Sequence, residues 1–255
     1  MKNNNIKISA RFSHIKKVSV LQLLEMHKLF IQYYNNADLQ TFVTDMGKKT
    51  GVFILEDKAQ NRIVGFSTWT EMEVIQGEQK SIGIFSGDTV VERAYWGNRE
   101  LQKIFAKKLF TTKLKYPKTP VFWLLISKGY KTYLLLTNNF HQYYPCHQSH
   151  NPKLEAIVDE YCEHLYPHAY DRKNRLLNFG NAYQHLKEDV ACITEEMKNM
   201  DKNIRYFEKL NPSWKQGTEL PCAGEVTISM LLNFMKRKII PFHREKRKSS
   251  EMVVS

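Results

Sequence analysis

The sequence predicts an α/β fold with an enlarged, mostly helical C-terminal part. Three observations carry this. Helix and strand signals alternate through the first 145 residues, helical spacing dominates the second half, and 255 residues with 42% hydrophobic content suffice for one large domain. Tyrosine and phenylalanine, 13 and 14 in number, exclude a disordered chain.

Ser19 and Gln22 have capping-box spacing and open a helix carrying Val20, Leu23, Leu24, Phe30, Ile31 and Tyr34. His27 lies on that stripe and reads as a satisfied core histidine. Asp38 caps a second helix that stops near Gly47. Val52–Leu55 and Ile63–Phe66 flank a polar turn and read as a hairpin. Ser81–Phe85 and Asp88–Glu92 form one bent strand or two, interrupted at Gly87. Leu101, Ile104, Phe105 and Leu109 mark one face of a helix that Pro117 and Pro120 end. Val121–Ile126 reads as a strand, and so does Lys131–Leu136, ending in Asn138-Asn139.

In the second half, Pro152 opens a helix through Leu154, Ile157, Val158, Tyr161 and Leu165. Tyr183, Leu186, Val190, Ile193 and Met197 fit a longer helix, and Ile204, Phe207 and Leu210 a shorter one. The segment from Arg205 to Trp214 is either a lid or ordinary packing. Thr218–Thr227 reads as a last strand. The expected organisation is a core over 1–145, a helical elaboration completing the sheet over 146–240, and a disordered basic tail over 241–255.

The net charge is +12, and seven basic residues against Glu245 between Lys236 and Lys248 hold half of it. Charge gathered in a tail, not in a stripe on the body, speaks against nucleic-acid binding. Ile228, Leu231, Leu232, Met235 and Ile239 recur at helical spacing beside Lys236, Arg237 and Lys238. Either that segment and the tail touch an anionic membrane peripherally, or the apolar stripe packs on the domain as a final helix or strand and the basic residues are solvated. The apolar runs fall short of the ~20 residues of a membrane span. No signal-peptide stretch follows Met1, so a cytoplasmic protein is expected. Four cysteines make no disulfide framework. The spacing of His141, Cys146, His147, His150, Cys162, His164 and His168 matches no specific zinc pattern, so no metal is expected.

The order strand, two helices, strand meander, helix, strand, together with the segment Val91-Glu92-Arg93-Ala94-Tyr95-Trp96-Gly97-Asn98-Arg99, resembles the GCN5-related N-acetyltransferase (GNAT) superfamily over roughly residues 6–145. Val91, Tyr95 and Gly97 match family positions, and Asn138 and Tyr144 match a second pair. The resemblance implies a mixed, twisted sheet flanked by helices, with later strands near Arg175–Phe179 and Glu219–Thr227. It also implies an acyltransferase that moves an acyl group from acetyl-CoA, a longer acyl-CoA or another pantetheine-linked donor to an amine acceptor. The pantetheine arm would pair with Val90 and Val91 where two parallel strands splay. The pyrophosphate would sit over the turn Trp96-Gly97-Asn98-Arg99 at a helix start, with Asn138 nearby.

The implied acid for the departing thiolate is Tyr144, or Tyr143 beside it; either can also be an aromatic packing on the strand. Asp88 or Glu92 is the candidate base, although Asp88 after Gly87 reads more readily as a turn-flanking aspartate; Glu71 and Glu73 lie one strand earlier. Trp96, Arg99 and Leu101 depart from the family's arginine or glutamine, glycine and small residue. These departures suit the alternative reading, a catalytically inactive GNAT-fold binding or interaction module.

Overall fold

The computed structural model describes residues 8–76, 78–180, 183–187 and 192–232. The basic tail, Met235 and Ile239 lie outside the described residues. The elements are β1 (Ile8–His14), α1 (Val20–Phe30), β2 (Tyr34–Asn35), α2 (Leu39–Gly47), β3 (Gly51–Asp57), β4 (Arg62–Gln76), β5 (Gln79–Ser86) and β6 (Thr89–Val91). Then come α3 (Glu100–Lys115), β7 (Val121–Ser127), α4 (Tyr130–Asn139), β8 (Tyr143–Tyr144) and α5 (Pro152–Leu165). The chain continues through β9 (Tyr170–Asp171), β10 (Leu176–Leu177), β11 (His185–Leu186), α6 (Glu195–Met200), α7 (Lys202–Leu210) and β12 (Leu220–Glu225).

The main sheet runs β1-β3-β4-β5-β7-β12-β8, with β6 also on β4. Its ladders are antiparallel except β5 with β7, which are parallel. Local chemistry sets the flanking helices. Ser19 and Gln22 complete the capping box of α1, Asp38 accepts from the Thr41 amide at the start of α2, and Asn151 with Pro152 starts α5. His27 is satisfied as expected, bonding the Ala37 carbonyl at 2.8 Å.

Helix α5 buries Leu154, Ile157, Val158 and Tyr161 against one face of the sheet. Each aliphatic side chain there contributes about 1.5–3 kcal/mol. On the other face α3 seats Leu101 and Leu109 in a cluster with Phe53, Trp69 and Trp123. No helix among the described residues is long and apolar enough to cross a membrane.

Several expectations change. Lys131–Leu136 is not a strand but part of α4. Gly129 stands at its N-cap, and Tyr130, Tyr133 and Leu136, three residues apart, are buried on one face. The longer helix through Tyr183 and Met197 does not form. Residues His185–Leu186 pair with β2 instead, and α6 starts only after Thr194 caps it; Val190 lies outside the described residues. Around Arg175–Phe179 only Leu176–Leu177 is a strand, and it pairs with β9 outside the main sheet. Glu219–Thr227 does supply a sheet strand, β12, between β7 and β8. The segment Ser81–Glu92 resolves into two strands, β5 and β6.

Candidate active site

The break between β5 and β6 builds the site. Opposite β4 the register runs Thr70↔Phe85 and then Ser67↔Thr89, so one extra residue is inserted near Gly87. This is a β-bulge, which bends a strand and ends its pairing on one side. A Cβ on Gly87 would lie 2.8 Å from Thr68 Oγ1, so the close approach needs glycine. β5 stays paired with β7 as far as Ser86↔Leu125. Beyond that point β6 pairs only with β4, while Ile126 and Ser127 turn to β12. The two strands part, and a cavity of about 710 Å³ opens at the gap.

The Thr68 amide donates to the Asp88 carbonyl at 3.0 Å and the Glu92 amide to the Val64 carbonyl at 2.8 Å. Antiparallel alternation then directs the backbone groups of Val90 toward Phe66 and those of Thr89 and Val91 into the gap. Of the expected pair Val90 and Val91, only Val91 turns its backbone groups to the gap; Thr89 does so as well. The Val91 carbonyl already accepts from Trp96 Nε1 at 2.8 Å. Trp96 is half exposed, with the Lys131 ammonium 4.3 Å and the Arg93 guanidinium 5.4 Å from its ring centre. Burial, then the nearby Arg93 charge, holds Lys131 below the usual lysine range.

The turn into α3 is tightly bonded. Tyr95 donates to Asp57 Oδ2 at 2.7 Å, and Gly97 takes φ +86°. Asn98 Oδ1 accepts from the Glu100 amide at 2.9 Å. The Leu101 and Gln102 amides are among those that the helix start leaves without an intrahelical acceptor, and both residues line the cavity. Asn98 and Arg99 shape the turn, and neither lines the cavity.

The opposite wall is polar. Glu219, fully buried, pairs with Lys128 Nζ at 3.3 Å. Lys128 also donates to the Gln184 carbonyl at 3.1 Å and lies 5.1 Å and 4.8 Å over the Tyr34 and Tyr183 rings. Burial pushes the Glu219 carboxyl up to about 7, Lys128 opposes that rise, and Asp88 adds to it. Tyr34, Tyr166 and Tyr183 all sense the Glu219 and Asp88 charges.

Asp88 lies in this wall, bonded by Gln184 Nε2 at 3.4 Å. Glu92 does not; Arg62 grips both of its oxygens, the longer bond being 3.0 Å. Tyr143 and Tyr144 sit on the edge strand β8 and do not line the cavity. Burial and the Glu155 carboxylate push Tyr144 up, and burial and Cys146 push Tyr143 up. Asn138 lies on α4; its neighbour Asn139 is the lining residue. Sequence reasoning missed Glu219 and Lys128, because no local spacing marks an acid and a lysine brought together from two strands. Among the described residues no three His, Cys, Asp or Glu side chains converge to hold a metal.

No family model matches this sequence, and no curated protein matches it. Among solved structures the chain is similar to a probable N-acyltransferase of unknown function from Enterococcus faecalis (15% identity, TM-score 0.39). That match covers 53% of this chain and 34% of the other, so it spans about a third of that protein's length. It is also similar to the Escherichia coli GNAT family N-acetyltransferase YhbS in complex with CoA, at 13% identity and TM-score 0.34, over 50% of this chain and 67% of that one. Escherichia coli ElaA gives 14% and 0.35, over 57% and 93%. The described structure has the mixed sheet flanked by helices that the resemblance implies, with one parallel pair, β5 and β7, ending at a bulge beside the start of α3.

Proposed function

We propose that the protein transfers an acyl group from acetyl-CoA or a longer acyl-CoA to an amine acceptor. The parting of β6 from β7 is the observation that carries this reading. A pantetheine arm is peptide-like and can add as a strand to the edge of Thr89 and Val91. The Leu101 and Gln102 amides at the start of α3 suit the diphosphate, where the helix dipole favours an anion, and Lys131 adds a positive charge. Glu219 then serves as general base for the acceptor amine, because a carboxyl poised near 7 both takes and gives a proton at neutral pH. This assigns the base differently from Asp88 and Glu92, and Asp88 keeps the role of raising Glu219.

In this reading the pantetheine amide replaces the Trp96 indole on the Val91 carbonyl. Trp96→Phe removes the competing donor, whose hydrogen bond has a net worth of about 0.5–1.5 kcal/mol. Acetyl-CoA affinity, measured by titration calorimetry, is expected to rise about 2- to 10-fold. Weaker binding in Trp96→Phe would make the indole part of the donor site and overturn the exchange.

The same bond favours the second reading, an inactive module whose gap Trp96 keeps shut. That reading requires that the native chain not bind acetyl-CoA saturably.

A further inference from the structure

We propose that Lys128 is itself an acyl acceptor, a self-acylation site at which the amine takes the acyl group of a bound acyl thioester. The inference rests on the acyl-CoA reading of the same cavity. Lys128 is the first residue after β7, on the lip of the gap, and its side chain is only 15% exposed. Its ammonium is held from several sides: Glu219 at 3.3 Å, the Gln184 carbonyl at 3.1 Å, and the rings of Tyr34 and Tyr183. A lysine fixed in this way has little conformational freedom left to lose in reaching a thioester carbonyl in the same cavity, and such fixed geometry gives high effective concentrations. Lysines on the outer surface differ: Lys58 and Lys103 are themselves about half exposed, and they pair with Glu56 and Glu100. Lys48, which also lines the cavity, is 68% exposed and pairs with Asp45, itself partly exposed.

The partner carboxylate completes the chemistry. Glu219 takes one proton from the Lys128 ammonium and leaves a neutral amine. The nitrogen lone pair forms the N–C bond to the thioester carbonyl, and the C–S bond breaks. The second proton leaves the nitrogen and ends on the departing sulfur, so the products are the Lys128 amide, neutral Glu219 and the free thiol. Burial favours this outcome, because a largely buried ion pair becomes two neutral groups. The amide does not turn over, so the reaction stops at one acyl group per chain.

The test incubates the full chain with acetyl-CoA and follows intact mass and peptide mapping beside calorimetric binding. One acetyl group on Lys128 is expected, at a rate unchanged by diluting the protein at saturating donor. Lys128→Arg keeps the charge, and is expected to bind donor and gain no acetyl group, with an unchanged circular dichroism spectrum. Glu219→Gln is expected to slow the step about 10²-fold. Saturable donor binding with no acetyl on Lys128, or labelling of Lys58 and Lys103 as fast as Lys128, overturns the self-acylation alone. Absence of saturable binding overturns both this inference and the acyl-CoA reading.

Discussion

Glu219→Gln is expected to lower acyl transfer to an amine by about 10²-fold or more, the usual contribution of a positioned general base. Glutamine keeps the shape of the side chain and cannot accept the proton. The pH profile carries the same information. Burial holds the native carboxyl near 7, and the surrounding groups are Lys128 after β7, Asp88 at the bulge, and Tyr34, Tyr166 and Tyr183. The base form gains population as pH rises, so the rate should climb through about pH 7 and level off above it. Stability runs the other way. The folded state favours the protonated carboxyl, so that contribution is complete below the ordinary carboxyl range and is lost as pH rises through about 7. Glu219→Gln should flatten both profiles. A native rate with no inflection near 7, or a variant as fast as the native chain, contradicts the assignment.

Trp69→Ala is expected to cost about 3–5 kcal/mol, the range for deleting a fully buried large aromatic. Trp69 is wholly buried on β4, edge-on to Phe53 at 5.6 Å and to Phe105 of α3 at 5.4 Å. The cavity left would take the floor from under α3, whose first turn lines the gap. A fall in Tm on the order of 10 °C follows for a chain of this size. The indole N–H of Trp69 is buried with no hydrogen-bond acceptor, so Trp69→Phe should lose much less than Trp69→Ala. Equal losses in the two variants, or a Tm for Trp69→Ala within about 2 °C of native, would contradict this packing.

Much of the frame was legible because it is written in short-range chemistry. Ser19 with Gln22 and Asp38 mark helix starts through bonds spanning three residues, Pro152 marks one by its fixed backbone angle, and the hairpin at Asp57–Asn61 is equally local. The gap was legible as a resemblance around Val91 and Gly97. Which backbone groups face it was not, because the inserted residue near Gly87 shifts the alternation by one. Helix α4 was misread since Tyr133-Leu134-Leu135-Leu136 is apolar throughout and has no decisive period. Its packing on Phe207 of α7, some 70 residues later, decides the matter. Glu219 was invisible for a related reason. Its surroundings come from the bridge to Leu177 and from Lys128 just beyond β7, contacts that leave no trace in local spacing. Trp96 was marked in the sequence as a departure, and the bond to Val91 gives that departure a structural consequence.

Calorimetric titration of the native chain with acetyl-CoA, beside Val91→Pro, tests the central claim most directly. Proline deletes the Val91 N–H that faces the gap. Saturable one-to-one binding by the native chain, weakened in Val91→Pro while its circular dichroism spectrum is retained, is the predicted result. No saturable binding by the native chain, or equal binding by both, would contradict an acyl-CoA site between β6 and β7.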